Sequence, residues 1–259
     1  MSSSVAERHS GREQALTLSQ INRVLFVAAA VIIAAMPYLT NSGLLYLVGT
    51  TLILAVYSVG WNFLFSWAGL ASFGSGGLFC IGAYVSAVAL RAGWEQYFLL
   101  VIVVATLAGA AVAFLVGFVA LRRTSGIFLA ILTLSLAELL RHTLMHTRWL
   151  GSEDGLPNIT RPTVSFIFFE LNLKSGPAYY WFICAFAVVM LGICWWLSHG
   201  PLGRRLQAVR YDIERASFVG IDVHRNRLLA FVISGAVAAC AGAVYAPWAQ
   251  IVTPELSGM

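Results

Sequence analysis

Long apolar runs separated by short polar breaks dominate the chain. Residues 1–20 are polar and serine-rich and carry Arg8 and Arg12. Apolar runs follow at Val24–Met36 (continuing past Pro37 to Leu39), Leu44–Phe65, Leu78–Leu90, Phe98–Leu121, Gly126–Leu144, Ala178–Leu197 and Leu228–Trp248. A helix needs about 20 mostly apolar residues to cross the hydrocarbon core, so these runs predict membrane-crossing helices. A cleaved signal peptide is the alternative for the first run; its long polar lead and its exit through Pro37 favour an uncleaved span. The run Leu78–Leu90 is too short alone. Before it lies Ser66–Gly77, with Gly69, Gly74, Gly76 and Gly77 among Ser66, Ser72 and Ser75. Together the two stretches predict a helix that begins irregularly, or a re-entrant turn feeding a helix. Exposed backbone at that depth is tolerated only where it packs on protein or lines a cavity. The pattern therefore predicts an all-α polytopic bundle of about seven spans with one Gly/Ser-rich broken segment. A polar tail covers residues 1–23 and a membrane domain residues 24–259.

Composition agrees and removes alternatives. Of 259 residues, 59% are apolar and 10% charged, against roughly half and about a quarter in soluble domains. Too little polar surface remains to face water, and a disordered chain would be poor in apolar residues. The net charge of +5 has a topological reading. With the N-terminus in the cytoplasm, that side holds Arg8, Arg12, Arg23, Arg122, Arg123, Arg204, Arg205, Arg210, Arg215, Arg225 and Arg227. The other side holds Arg91, Arg141, Arg148, Arg161 and Lys174, so the distribution is 11 against 5. Cationic loops stay in the cytoplasm, which puts the loop 198–227 inside and the loop 145–177 outside. No soluble basic domain exists to bind nucleic acid. Cys80, Cys184, Cys194 and Cys240 each sit in an apolar run without a C-x-x-C pair, as buried free thiols do. Trp195, Trp196 and Trp248 lie at span ends, where aromatic belts form.

Three stretches carry candidate chemistry. In the loop 198–227, Leu206, Val209, Ile213 and Ala216 recur at helical spacing, with charges on the other faces. Gly220 suits a helix C-terminus, which wants positive φ. The acids Asp212 and Glu214 among the arginines fit a protein groove better than a lipid surface. The Gly/Ser stretch, with Asn62 before it to cap or hydrogen-bond it, fits a transport path, because small residues let backbone face a cavity; close helix packing is the plainer explanation for any one glycine. Glu138 is a carboxylate well inside an apolar span, a functional signal by default. With His142 and His146 it forms an i, i+4, i+8 stripe, which suggests either a metal site or, more simply, a Glu138–Arg141 pair with interfacial histidines. No H-E-x-x-H pattern supports the metal.

Glu214-x-Ala216-x-x-x-Gly220 resembles the EAA loop of ATP-binding-cassette importer permeases, with Arg215 where that loop usually has Ala. The segment Gly69-Leu70-Ala71-Ser72-Phe73-Gly74-Ser75-Gly76-Gly77-Leu78-Phe79-Cys80-Ile81-Gly82-Ala83-Tyr84 resembles the G-x-x-S-x-G-H-A-A-F-x-x-x-G-A-Y signature of the branched-chain amino-acid permeases. Ser75 replaces its His, Gly76 and Gly77 its two Ala, and Leu78 its Phe. Arg122 to Leu134 resembles that family's R-x-x-G-x-F-A-I-x-T-L segment, Gly151-Ser152-Glu153-Asp154-Gly155-Leu156 its outer G-G-S-D-G-L loop, and Phe231 to Ala246 its helix after the coupling loop. The similarity runs in order over residues 45–256. It implies a permease for branched-chain amino acids or a related small polar solute such as urea or amides, in a bacterial inner membrane. It also implies a second related permease, two ATPase subunits and an external solute-binding protein. The residues assigned to ATPase coupling are Arg210, Asp212, Glu214, Ala216 and Gly220. Those assigned to the translocation path are Asn62, Gly69, Ser72, Gly74, Ser75 and Glu138. The resemblance further implies another re-entrant or spanning portion beyond Thr253-Pro254-Glu255, where five residues remain after Pro254.

A Walker A loop needs G-x-x-x-x-G-K-[ST]. The single lysine, Lys174, lies in Leu173-Lys174-Ser175-Gly176 without those glycines, so this sequence is not a standard P-loop ATPase, and no cofactor or metal is expected. The competing functions are a secondary transporter driven by an ion gradient, and a membrane metalloenzyme using Glu138, His142 and His146.

Overall fold

The computed structural model describes residues 36–37, 41–123, 126–166 and 169–258. The chain divides into two compact units, one up to Val48 and one from Gly49 onward. Among the described residues eight α-helices follow in order: α1 (Ser42–Asn62), α2 (Ser75–Arg91), α3 (Phe98–Arg123), α4 (Ile127–His146), α5 (Gly176–His199), α6 (Pro201–Tyr211), α7 (Ile213–Phe218) and α8 (Val223–Ala249). Among the same residues five helical stretches are long and apolar enough to cross a membrane: Ser42–Trp67, Trp94–Arg122, Phe128–His146, Gly176–His199 and Val223–Ala249; Ser75–Arg91 is a shorter apolar helix. The chain is thus a multi-pass helical membrane protein. Of the seven expected spans, six are seen as helices, and the first, Val24–Leu39, lies largely outside the described residues.

Within the second unit α8 is the centre. Its apolar window is 67% buried, against 22–28% for the other long helices, and it packs on α2 and α3. The reason is its small-residue face. A Cβ on Gly82 of α2 would overlap the carbonyl oxygen of Ala239, and one on Gly242 would overlap that of Phe79. The backbones of α2 and α8 therefore touch, a packing that larger side chains would prevent. The runs Phe98–Leu121 of α3 and Ala178–Leu197 of α5 are charge-free and turn large side chains outward, as Leu107, Leu115, Val188 and Val189 show. Lipid is the solvent that such a surface suits. Cys80, Cys194 and Cys240 are buried and Cys184 half-buried, all free thiols.

The helices sort the loops to two ends. At one end lie the break between α1 and α2 and the α5–α6–α7 turn, joined by an edge-on contact of Trp67 with His199 at 5.8 Å between ring centres. At the other end the 145–177 region folds on itself and on the chain's last residues. Strand β1 (Leu156–Pro157) pairs antiparallel with β4 (Ile251–Val252), Leu156 opposite Val252; β2 (Thr163–Phe166) and β3 (Phe169–Asn172) form a hairpin with Thr163 opposite Asn172. The Arg91 guanidinium donates to the Pro157 carbonyl at 2.5 Å, and the Thr160 hydroxyl to Glu95 at 2.6 Å. These short strands add to the all-α expectation without altering the helical bundle.

One expected anchor is misplaced. Trp195 and Trp196 are exposed, but Trp248 is buried. Its ring stacks on Tyr179 at 5.8 Å and its indole N–H donates to the Thr50 hydroxyl at 3.2 Å. The indole has an internal partner, so it belongs to the core and not to an aromatic belt.

Candidate functional site

The break between α1 and α2 is built from a failed helix end. After Asn62 the backbone widens into one π-helical turn, Phe63–Trp67. Gly69 then adopts φ 68°, and non-helical backbone continues to Gly74. Helix α2 starts at Ser75 and has 17 residues, about 25 Å at the usual rise. The helix therefore begins irregularly, after six non-helical residues.

Buried backbone without helical bonds needs other partners, and neighbouring helices supply them as side chains. The Trp61 indole N–H donates to the Ser72 carbonyl at 2.7 Å. The Phe73 amide donates to the Thr133 hydroxyl at 3.2 Å, which itself donates to the Ala130 carbonyl at 3.0 Å. The Tyr57 and Ser75 hydroxyls share a hydrogen bond of 2.9 Å. The Ser66 hydroxyl donates to the Asn62 side-chain oxygen at 2.5 Å; Asn62 thus bonds the stretch without capping a helix. A cavity of about 280 Å³ opens here, lined by Tyr57, Ser58, Trp61, Ser72, Phe73 and Ser75. On the other side of Gly74 a second cavity, about 260 Å³, lies among Gly74, Gly77, Leu78, Thr133, Ala137 and Phe231 and is mainly apolar.

Of the path residues read from the sequence, Ser72 and Ser75 line the first cavity and Gly74 the second; Gly69 and Asn62 flank them. Glu138 lines neither of these two cavities. It is half-exposed and pairs with Arg141 at 2.7 Å, one turn along α4. The His146 ring nitrogen meets the His142 carbonyl at 2.8 Å, and among the described residues no three His, Cys, Asp or Glu side chains group as metal ligands. The sequence reading missed Tyr57, Trp61 and Thr133. Tyr57 and Trp61 are spaced i, i+4 on α1, so one face of that helix presents both polar tips; that spacing was the available signal.

The loop 198–227 departs from expectation in one respect. The periodicity of Leu206, Val209, Ile213 and Ala216 predicts one amphipathic helix, but the structure has two. The chain breaks at Asp212, which takes extended backbone (φ −156°, ψ 109°) and caps α7 by accepting from the Arg215 amide at 3.0 Å. A short carboxylate that bonds nearby backbone competes with helix continuation. So Leu206, Val209 and Ala216 are buried while Ile213 is 48% exposed. Gly220 fulfils its role. At φ 83° it ends α7, with the Gly220 amide bonded to the Ser217 carbonyl at 3.0 Å and the Ile221 amide to that of Ala216 at 3.1 Å, the paired bonds of a Schellman end.

The five residues that the sequence assigns to coupling therefore face different ways. Ala216 is buried, Asp212 caps, Gly220 terminates and Glu214 is exposed. Arg210 turns toward the break, where its guanidinium donates to the Ser66 carbonyl. The surface left open is apolar and basic together: Tyr211 and Phe218 are 88% and 89% exposed and Val219 nearly as much, beside exposed Arg204, Arg205 and Arg215. Exposed aromatic side chains of that size mark a surface meant for covering.

Comparison with known proteins adds independent findings. Residues 43–259 match the family model described as branched-chain amino acid transport system / permease component. The chain is 31% identical over 258 residues to the high-affinity branched-chain amino acid transport system permease protein LivM of Escherichia coli (strain K12), which covers 92% of this chain and 60% of that protein. It is 25% identical over 220 residues to LivH of the same kind of system in Salmonella typhimurium, covering 79% of this chain and 70% of LivH. It is 33% identical over 106 residues, 38% of this chain and 27% of the relative, to the autoinducer 2 import system permease protein LsrC of Klebsiella pneumoniae. The chain spans about 60% of the length of the LivM relatives it matches. No solved structure matches.

Proposed function

We propose, for a chain that belongs to the family of branched-chain amino acid transport permease components, that it is the membrane-crossing permease subunit of an ATP-binding-cassette importer in a bacterial inner membrane. Its solutes are branched-chain amino acids or a related small polar solute such as urea or amides. Separate ATPase subunits hydrolyse the ATP, a second related permease completes the path, and an external binding protein delivers the solute. The N-terminus is cytoplasmic in this reading, which puts α6 and α7 on the ATPase side.

The observation that carries the reading is the uncovered face of α6 and α7. Tyr211, Phe218 and Val219 stand out beside arginines at one end of the bundle. An apolar centre with a charged rim is the anatomy of a docking surface. Alternating access then needs a bundle with two arrangements and a partner whose ATP cycle favours one of them. The cavity at Tyr57, Ser72 and Ser75 sets hydroxyl groups in a mainly apolar lining, where a solute's apolar side chain and its polar groups both find partners. A half-exposed carboxylate inside an apolar span is costly against lipid, so the second permease covers the α4 face that bears Glu138 and Arg141.

The test is uptake of radiolabelled leucine, isoleucine and valine into vesicles holding the complex purified through a tag on this chain. Uptake that needs ATP inside and binding protein outside supports the reading. Uptake driven by a proton or sodium gradient without ATP overturns it in favour of a secondary transporter.

A further inference from the structure

The contact between Arg210 and the break joins two regions separated by 144 residues. Its geometry is specific on both sides. In an α-helix the Ser66 carbonyl would accept from the amide of Leu70, four residues on. Here the π turn diverts that amide to the Leu64 carbonyl at 3.4 Å, so the acceptor is offered to Arg210. Gly69 sits at φ 68°, and a Cβ there would come within 3.0 Å of Arg210 Cγ. The glycine therefore serves two needs at once, a left-handed backbone and room for the arginine stem. On the other side α6 is firmly seated, because Leu206 and Val209 are fully buried and α6 packs against both the π turn and α8. Beyond Arg210 come exposed Tyr211, the break at Asp212 and then α7.

We propose that Arg210 is a positioning residue that links displacement of the α6–α7 segment to the broken segment 66–74, and so connects events at the exposed α7 face to the cavity at Ser72 and Ser75. This rests on the permease reading above and assigns the residue a role different from docking. A linkage of two sites must act through elements with discrete arrangements that both sites bias. The break is the element proposed to rearrange, since side chains from α1, α4 and α6 hold it in place of helical bonds of its own. A charge-assisted bond to a carbonyl is stronger than a neutral one, and moving α6 either drags the break along or gives up that bond.

The experiment compares Arg210→Met with Arg210→Lys and with Tyr211→Ala/Phe218→Ala in the purified, vesicle-reconstituted complex. The measurements are leucine uptake per ATP hydrolysed and co-purification of the ATPase subunits. For Arg210→Met the expected result is retained co-purification with uptake per ATP lowered about tenfold, within the usual 5–150-fold range of site coupling. Arg210→Lys keeps a donor on a similar stem and restores at least half of that loss. Tyr211→Ala/Phe218→Ala instead reduces co-purification. An unchanged uptake-to-ATP ratio in Arg210→Met overturns the proposal, as does loss of the ATPase subunits from it, which makes Arg210 a docking contact. If Arg210→Met does not insert, Arg210→Ala is measured in its place, and an unchanged uptake-to-ATP ratio there overturns the proposal. Absence of ATP-driven uptake by the unaltered complex overturns the permease reading itself, and the two failures are distinct.

Discussion

Two regions of this protein are built from the same small residues and use them oppositely. Where α2 crosses α8, Gly82 and Gly242 remove bulk so that two intact helices touch backbone to backbone. Between α1 and α2, Gly69, Ser72, Gly74 and Ser75 accompany a helix that stops, and its freed carbonyls and amides are taken by Trp61, Thr133 and Arg210. At the crossing both helices run through without a break, so motion there means breaking the core. At the break the partners are side chains on α1, α4 and α6, so rearrangement means exchanging a few hydrogen bonds of about 1–3 kcal/mol each. Counting glycines does not separate scaffold from moving part; the destination of each backbone hydrogen bond does.

The largest expected effect lies at the crossing. Gly82→Val places a branched side chain into the Ala239 carbonyl, and overpacking against backbone costs at least about 3 kcal/mol. The yield of monodisperse, detergent-solubilised protein should collapse; a yield and melting temperature matching the unaltered protein would remove the crossing as scaffold. At the break, Gly69→Ala costs about 1–2 kcal/mol for the left-handed backbone. Its folded yield should fall modestly while leucine uptake by the assembled complex falls much further, and equal losses would erase the contrast between the two regions.

Much of this architecture was legible in the sequence. The spans α1, α3, α4, α5 and α8 could be read because each is a long run with almost no charge, the one property that lipid selects directly. The break could be read from Gly69, Ser72 and Gly74, because glycine and serine punctuate helices. The partners of the break could not. Thr133 and Arg210 lie 60 and 144 residues from the atoms they bond, and local periodicity holds no record of such distances. The β1–β4 pairing of Leu156 with Val252 was hidden for the same reason. Asp212 misled because its flanking residues keep helical spacing while its own carboxylate caps the next helix. Trp248 misled because a tryptophan at a span end serves a belt or a core equally well by composition.

Smaller effects sharpen the comparison at the α6–α7 junction. Asp212→Ala removes the α7 cap and should cost about 1 kcal/mol of local stability, read as faster amide exchange over Glu214–Phe218. Tyr57→Phe removes the 2.9 Å hydroxyl bond to Ser75, again about 1 kcal/mol, and should lower leucine uptake more than melting temperature. Arg215→Ala should change stability by less than about 0.5 kcal/mol, since Arg215 in its 2.8 Å pair with Asp212 is 88% exposed. If Arg215→Ala matched Asp212→Ala, the ion pair and not the cap would hold the junction.

The permease reading makes the cavity beside the break part of a water-filled solute path. Ser58 lines that cavity from α1 and is itself exposed, while three of the four native cysteines are buried and Cys184 is half-buried. The direct measurement is labelling of Ser58→Cys by a membrane-impermeant, water-soluble thiol reagent in the assembled complex, with the unaltered complex as background. Labelling above background is expected, slowed by leucine together with binding protein and ATP. A thiol that reacts only with lipid-soluble reagents, at a rate indifferent to solute and ATP, would place the cavity against lipid and contradict that reading.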